Sequence, residues 1–134
     1  MKHSCVLVAD SHQGMLGAVR NLLNDLFDTV VMVADEASLL AAIPRLQPDL
    51  VVLDLSLPVT GGRNIAAQCG EMFPALRVIV LSVHDEPAAA AAAMKTGAKA
   101  FVLKRTAATD LAAAIGAVTG GGTYTSPCVA PQVG

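Results

Sequence analysis

No segment of this 134-residue sequence is both apolar enough and long enough to cross a bilayer. The nearest candidate, Leu111 to Gly134, carries no charge, but its glycine, threonine and proline content excludes a membrane helix. The apolar run after Met1-Lys2-His3-Ser4 stops at Asp10, too early for a signal peptide. Basic residues are few. Nine Lys and Arg against eleven Asp and Glu leave a net charge of −2, which argues against nucleic-acid binding through phosphate neutralisation. Cysteine is scarce as well. Cys5, Cys69 and Cys128 are odd in number and scattered, with neither metal-ligand spacing nor a disulfide framework. A reducing cytoplasm is the expected setting. Internal repeats are absent, and the only biased stretch is the alanine run from Ala88 to Ala93.

What is present is a hydrophobic chain, with 54% hydrophobic residues and a mean hydropathy of +0.57, much of it from alanine. Its length fits one domain with a real core. Short apolar runs alternate with segments of helical period. Cys5 to Ala9 reads as a first strand, closed by Asp10. A helix follows with Leu16, Val19, Leu23, Leu26 and Phe27 on one face. Thr29 to Val33 is the second strand. The second helix runs from Ala37 to about Leu46, with Pro44 expected to kink or fray its last turn. Leu50 to Leu53 forms a third strand, apolar throughout and so buried on both faces, closed by Asp54. Gly61-Gly62 precedes a third helix with Ile65, Cys69, Met72 and Phe73 inward. Arg77 to Leu81 is a fourth strand, ending at Ser82. The Asp85-Glu86-Pro87 segment starts a fourth helix that Gly97 stops. Lys99 to Leu103 is a fifth strand, ending at Lys104, and the last helix covers about Ala107 to Thr119. Residues 1–119 are expected to form the domain, and 120–134 an extended tail or linker.

Five strands alternating with five helices predict an α/β fold, a doubly wound (βα)5 sandwich around a parallel sheet in the order 2-1-3-4-5. In that order a crevice opens at the carboxyl ends of strands one and three. The residues closing the strands then gather on one rim: Asp10, Asp54, Ser82 and Lys104. A carboxylate ending an apolar strand is too costly to bury alone and belongs at such a rim. Two carboxylates with a backbone carbonyl suit a hard divalent cation such as magnesium. A lysine and a hydroxyl beside them suit a phosphoryl group, whose transfer depends mainly on positioning and charge stabilisation. A carboxylate can itself be the nucleophile and form an acyl phosphate.

The stretches VLVADSH, PDLVVLDLSLP, the Gly61-Gly62 pair, VIVLS and GAKAFVLK together resemble the receiver domain of two-component response regulators, from about Val6 to Thr119. The opening ADSH and the tail GGGTYTSPCVA further resemble the NarL/FixJ-type subfamily. The resemblance implies a flavodoxin-like fold and a regulatory role, with no catalysis on an external substrate. It implies that Asp54 accepts a phosphoryl group from a sensor histidine kinase. Asp10, Asp54 and the Ser56 backbone carbonyl would hold magnesium, Lys104 and Ser82 would bind the phosphoryl group, and Phe101 would follow as a switch residue. It also implies that the tail leads to a LuxR-type DNA-binding domain, absent from this sequence, through which DNA would be reached in transcription regulation.

One position departs from the family pattern. Ser11 stands where a second acid normally follows Asp10, so weakened magnesium affinity is expected. A rival reading follows, a phosphorylation-independent interaction module. A flavin carrier is disfavoured because the turn after the first strand lacks a run of hydroxyls and glycines. An aspartyl-phosphate hydrolase is disfavoured because Ser56, not a second acid, lies two residues beyond Asp54. The alanine run leaves the fourth helix poorly charged, which suggests a homodimer or output surface there.

Overall fold

The structure, a computed structural model, describes residues 3–10, 17–55, 65–83 and 86–126. In chain order these form β1 (His3–Ala9), α1 (Gly17–Leu26), β2 (Phe27–Val33), α2 (Glu36–Leu46), β3 (Leu50–Asp54), α3 (Ile65–Met72), β4 (Val78–Ser82), α4 (Pro87–Lys95), β5 (Ala100–Leu103), a 3₁₀ turn (Lys104–Thr106), α5 (Ala107–Thr119) and β6 (Tyr124–Thr125). All strand pairs are parallel, in the order β2-β1-β3-β4-β5-β6. The expected doubly wound architecture is therefore the observed one, with a sixth strand added at the edge.

Every residue of β3, β4 and β5 is buried, which is why these strands read as unbroken apolar runs rather than as alternating ones. Alternation along the strands still divides the core in two. Leu7, Val51, Leu53, Val80 and Phe101 pack with α2 and α3 residues such as Leu39, Ile43 and Cys69. Val6, Val8, Val52, Ile79 and Val102 pack with Val19 and Leu23 of α1 and Leu111 and Ile115 of α5. Each fully buried Leu, Val or Ile contributes about 1.5–3 kcal/mol, so both helical layers are held by the sheet they cover. Burial pushes the Cys69 thiol up to about 11, which leaves it protonated and unreactive near neutrality.

Local chemistry sets the ends of the elements. Asp35 caps α2, its Oδ1 accepting from the Ser38 N–H at 2.8 Å. The backbone contact at Asp35 and Ser38 holds the Asp35 carboxyl below its usual range. Gln47 closes α2 in the left-handed region at φ 48°, with its N–H on Ile43 O. Pro44 sits inside α2, and the helix continues past it to Leu46. Gly97, at φ 99°, follows α4 as the expected stop. A reciprocal pair ties β3 to β1: Asp49 N–H donates to Cys5 O, and Cys5 N–H donates to Asp49 Oδ2, both at 3.0 Å.

Two side-chain assignments change. Phe27 opens β2 rather than closing the preceding helix, and it is buried there. The packing gained by an aromatic at the sheet edge outweighs helical spacing as a guide. Met72 is 53% exposed at the end of α3, where the inward face has already passed to Ile65 and Cys69. From Gly120 onward the tail does not simply run free. Tyr124 and Thr125 pair with Ala100 and Phe101 as β6.

Candidate functional site

The register places the strand-closing residues beside one another. Ala9 pairs with Leu53, so Asp10 and Asp54 follow as neighbours at the carboxyl ends of β1 and β3. Asp54 pairs with Leu81, which puts Ser82 one step beyond it on β4. Ser82 pairs with Leu103, and Lys104 comes next. The four residues thus rise along one rim in strand order. Asp10 N–H donates to Val33 O at 3.0 Å, which fixes the end of β1 against β2.

Three of these polar residues are buried: Asp54 is 1% exposed, Ser82 2% and Asp10 9%. Lys104 Nζ donates to Asp54 Oδ2 and forms an ion pair with it, the lysine side chain remaining 24% exposed. That contact supplies the countercharge that a carboxylate at this depth requires. Leu55 N–H donates to Leu81 O at 3.0 Å, holding the chain just past Asp54 onto β4. Phe101 is fully buried in β5, between strand neighbours Val80 and Thr125. The Ser11, Ser56 and Gly61-Gly62 positions lie outside the described residues. Among the described residues no group of three or more His, Cys, Asp or Glu forms a metal cluster. The described donor set is the Asp10 and Asp54 carboxylates, and magnesium is commonly held by one or two carboxylates together with water and phosphate oxygens.

Sequence reasoning missed a second polar group behind Lys104. Leu103 N–H donates to Ser126 Oγ at 3.0 Å, and Ser126 Oγ donates to Asp110 Oδ2 at 2.8 Å. Thr106 Oγ1 donates to the same Asp110 Oδ2 at 2.5 Å. Burial, followed by the charge and hydrogen bond of Asp110, pushes the Tyr124 phenol above its ordinary value. The Thr106/Asp110 spacing, one helical turn, was visible in sequence. Ser126 falls in a segment whose glycine, proline and threonine content reads as linker.

Residues 6–116 match the response regulator receiver domain family, and the chain belongs to that family. It is 28% identical over 126 residues to the transcriptional regulatory protein DegU of Brevibacillus brevis, covering 92% of this chain and 53% of that protein. It is 29% identical over 134 residues to the transcriptional regulatory protein RcsB of Escherichia coli K12, covering 96% of this chain and 62% of that one. The chain therefore spans little more than half the length of these relatives. The isolated receiver domain of RcsB from Salmonella enterica serovar Typhimurium, solved with the phosphomimetic BeF3−, superimposes with a TM-score of 0.84 at 28% identity, covering 96% of both chains. Among the described residues no helix is long and apolar enough to cross a membrane.

Proposed function

We propose that this receiver domain is a phosphorylation-controlled switch in which Asp54 accepts a phosphoryl group from a phosphohistidine of a sensor kinase. The observation that carries the reading is the Lys104–Asp54 ion pair at the carboxyl end of β3, beside Asp10 and Ser82. An Asp54 carboxylate oxygen attacks phosphorus, the P–N bond to the donor imidazole breaks, and an acyl phosphate forms. Lys104 would exchange its carboxylate contact for the phosphoryl oxygens, and the Ser82 hydroxyl would donate to one of them. Asp10 and Asp54 would hold magnesium, which supplies positive charge against the transferring group. Ser11 removes one acid from that donor set and weakens it.

Phosphorylation exchanges one charge arrangement for another at the ends of β4 and β5, a local event that biases a two-state surface. Phe101, buried in β5 between Val80 of β4 and Thr125 of the edge strand, is the residue through which that surface would change. By analogy with the transcriptional regulators it resembles, the chain would act in transcription through a DNA-binding output domain reached through its C-terminal tail, in the cytoplasm. The alanine face of α4 is a candidate self-association surface.

Ser11 also favours a second reading, a receiver that signals through protein contacts without phosphorylation. One experiment separates them. The protein is incubated with a small acyl phosphate and magnesium and weighed intact. A single phosphoryl adduct, absent from Asp54→Asn, supports the switch. An unmodified wild type supports the phosphorylation-independent module.

A further inference from the structure

Lys104 stands on a three-residue 3₁₀ turn between β5 and α5. Such a turn has few backbone hydrogen bonds of its own, so its conformation depends on what braces its ends. Both ends are braced by one carboxylate. On one side, Leu103 N–H donates to Ser126 Oγ, which donates to Asp110 Oδ2. On the other, Thr106 Oγ1 donates to that same oxygen. Ser126 is fully buried and Asp110 nearly so. Hydrogen bonds of a buried carboxylate are among the stronger ones, and an unmade one at this depth is costly.

Ser126 reaches this position only because β6 is docked. Tyr124 N–H donates to Lys99 O at 3.1 Å and Ser126 N–H to Phe101 O at 2.9 Å. The tail therefore holds the chain at Lys99 and Phe101, and Ser126 Oγ meets the N–H of Leu103, the residue preceding Lys104.

We propose that Ser126 and Asp110 form a clasp that makes the docked tail a positioning element for Lys104. This rests on the reading of Asp54 as phosphoacceptor. The coupling is reciprocal by thermodynamic necessity. If tail docking holds Lys104 where a phosphoryl group needs it, occupancy at Asp54 tightens tail docking, and the segment continuing past Ser126 feels the site. Ser126 is a positioning residue: it touches neither Asp54 nor a phosphoryl donor.

The test compares wild type with Ser126→Ala, Ser126→Thr and Asp54→Asn. The readouts are phosphorylation rate from a small acyl phosphate, the Lys104 side-chain ammonium resonance, and amide exchange of residues 124–126 with and without BeF3− and magnesium. Ser126→Ala is expected to slow phosphorylation roughly tenfold, because small misplacements of a positioned group cost rate steeply. It should also shift the Lys104 resonance, while Ser126→Thr, which keeps the hydroxyl, restores both. BeF3− should slow exchange at 124–126 in wild type and leave Asp54→Asn unchanged. Wild-type rate together with an unmoved Lys104 resonance in Ser126→Ala overturns the clasp. A wild type that takes no adduct overturns the phosphoacceptor reading instead. In that case the clasp is judged by the resonance alone: a shift in Ser126→Ala supports it, and none overturns it.

Discussion

Asp54 and Lys104 meet across a strand that belongs to neither. Asp54 ends β3, Lys104 follows β5, and β4 lies between them. Two inter-strand spacings amount to about 10 Å, a gap that the long lysine side chain crosses over the end of β4, where Ser82 sits. Removing the ammonium leaves a buried carboxylate short of its countercharge. Lys104→Met is therefore expected to lower unfolding free energy by about 1–3 kcal/mol, less than the loss for a fully enclosed pair because the lysine is partly solvated. Urea denaturation of the two proteins measures it. Equal midpoints would show that the pair does not stabilise the fold.

Magnesium binding should respond to the residue after Asp10. Ser11→Asp restores the acid that the family pattern carries there, and a hard cation gains affinity with ligand charge. Titration calorimetry with magnesium is expected to give a tighter dissociation constant for Ser11→Asp than for wild type. Equal constants would mean that Ser11 costs the site nothing.

Gly70 marks a close approach between α3 and the end of α4. A Cβ built there would lie 2.5 Å from the backbone oxygen of Thr96. That oxygen cannot swing away as a side chain would. Gly70→Ala is expected to destabilise the domain by about 1–3 kcal/mol despite alanine's better helix propensity. A thermal melt at or above the wild-type midpoint would contradict this.

Tyr124 offers a pH readout of the sixth strand. It is the only tyrosine, and the chain has no tryptophan, so its absorbance reports one site. Burial and then Asp110 raise its folded-state pKa above the ordinary 10.0. A raised pKa means that the docked strand favours the protonated phenol. This contribution is fully present below pH 10 and is lost as pH climbs through the raised value. Ultraviolet titration should place the wild-type phenol above that of Asp110→Asn. Coincident curves would show that Asp110 does not act on it.

Much of this architecture was legible in the chain. The strands β3, β4 and β5 announce themselves because burial on both faces demands continuous apolar runs. Alternation with helices gives a parallel sheet, and the usual order for five such strands brings Asp10, Asp54, Ser82 and Lys104 to one rim. The rest was not legible, for three physical reasons. Phe27 and Met72 sit at element ends, where helical spacing no longer decides which face is inward. Tyr124-Thr125 is too short for any period to show, and its glycine-rich approach reads as linker. Ser126 acquires its role only through long-range contacts with Leu103 and Asp110, which no local pattern encodes.

The central claim is that Asp54 carries the phosphoryl group, and chemical trapping tests it at the residue. Borohydride reduces an acyl phosphate to an alcohol and turns the phosphorylated aspartate into homoserine, which peptide mass mapping locates. After treatment with a small acyl phosphate and magnesium, homoserine is expected at position 54 and nowhere else. Homoserine at another aspartate, or none at all, would contradict the account.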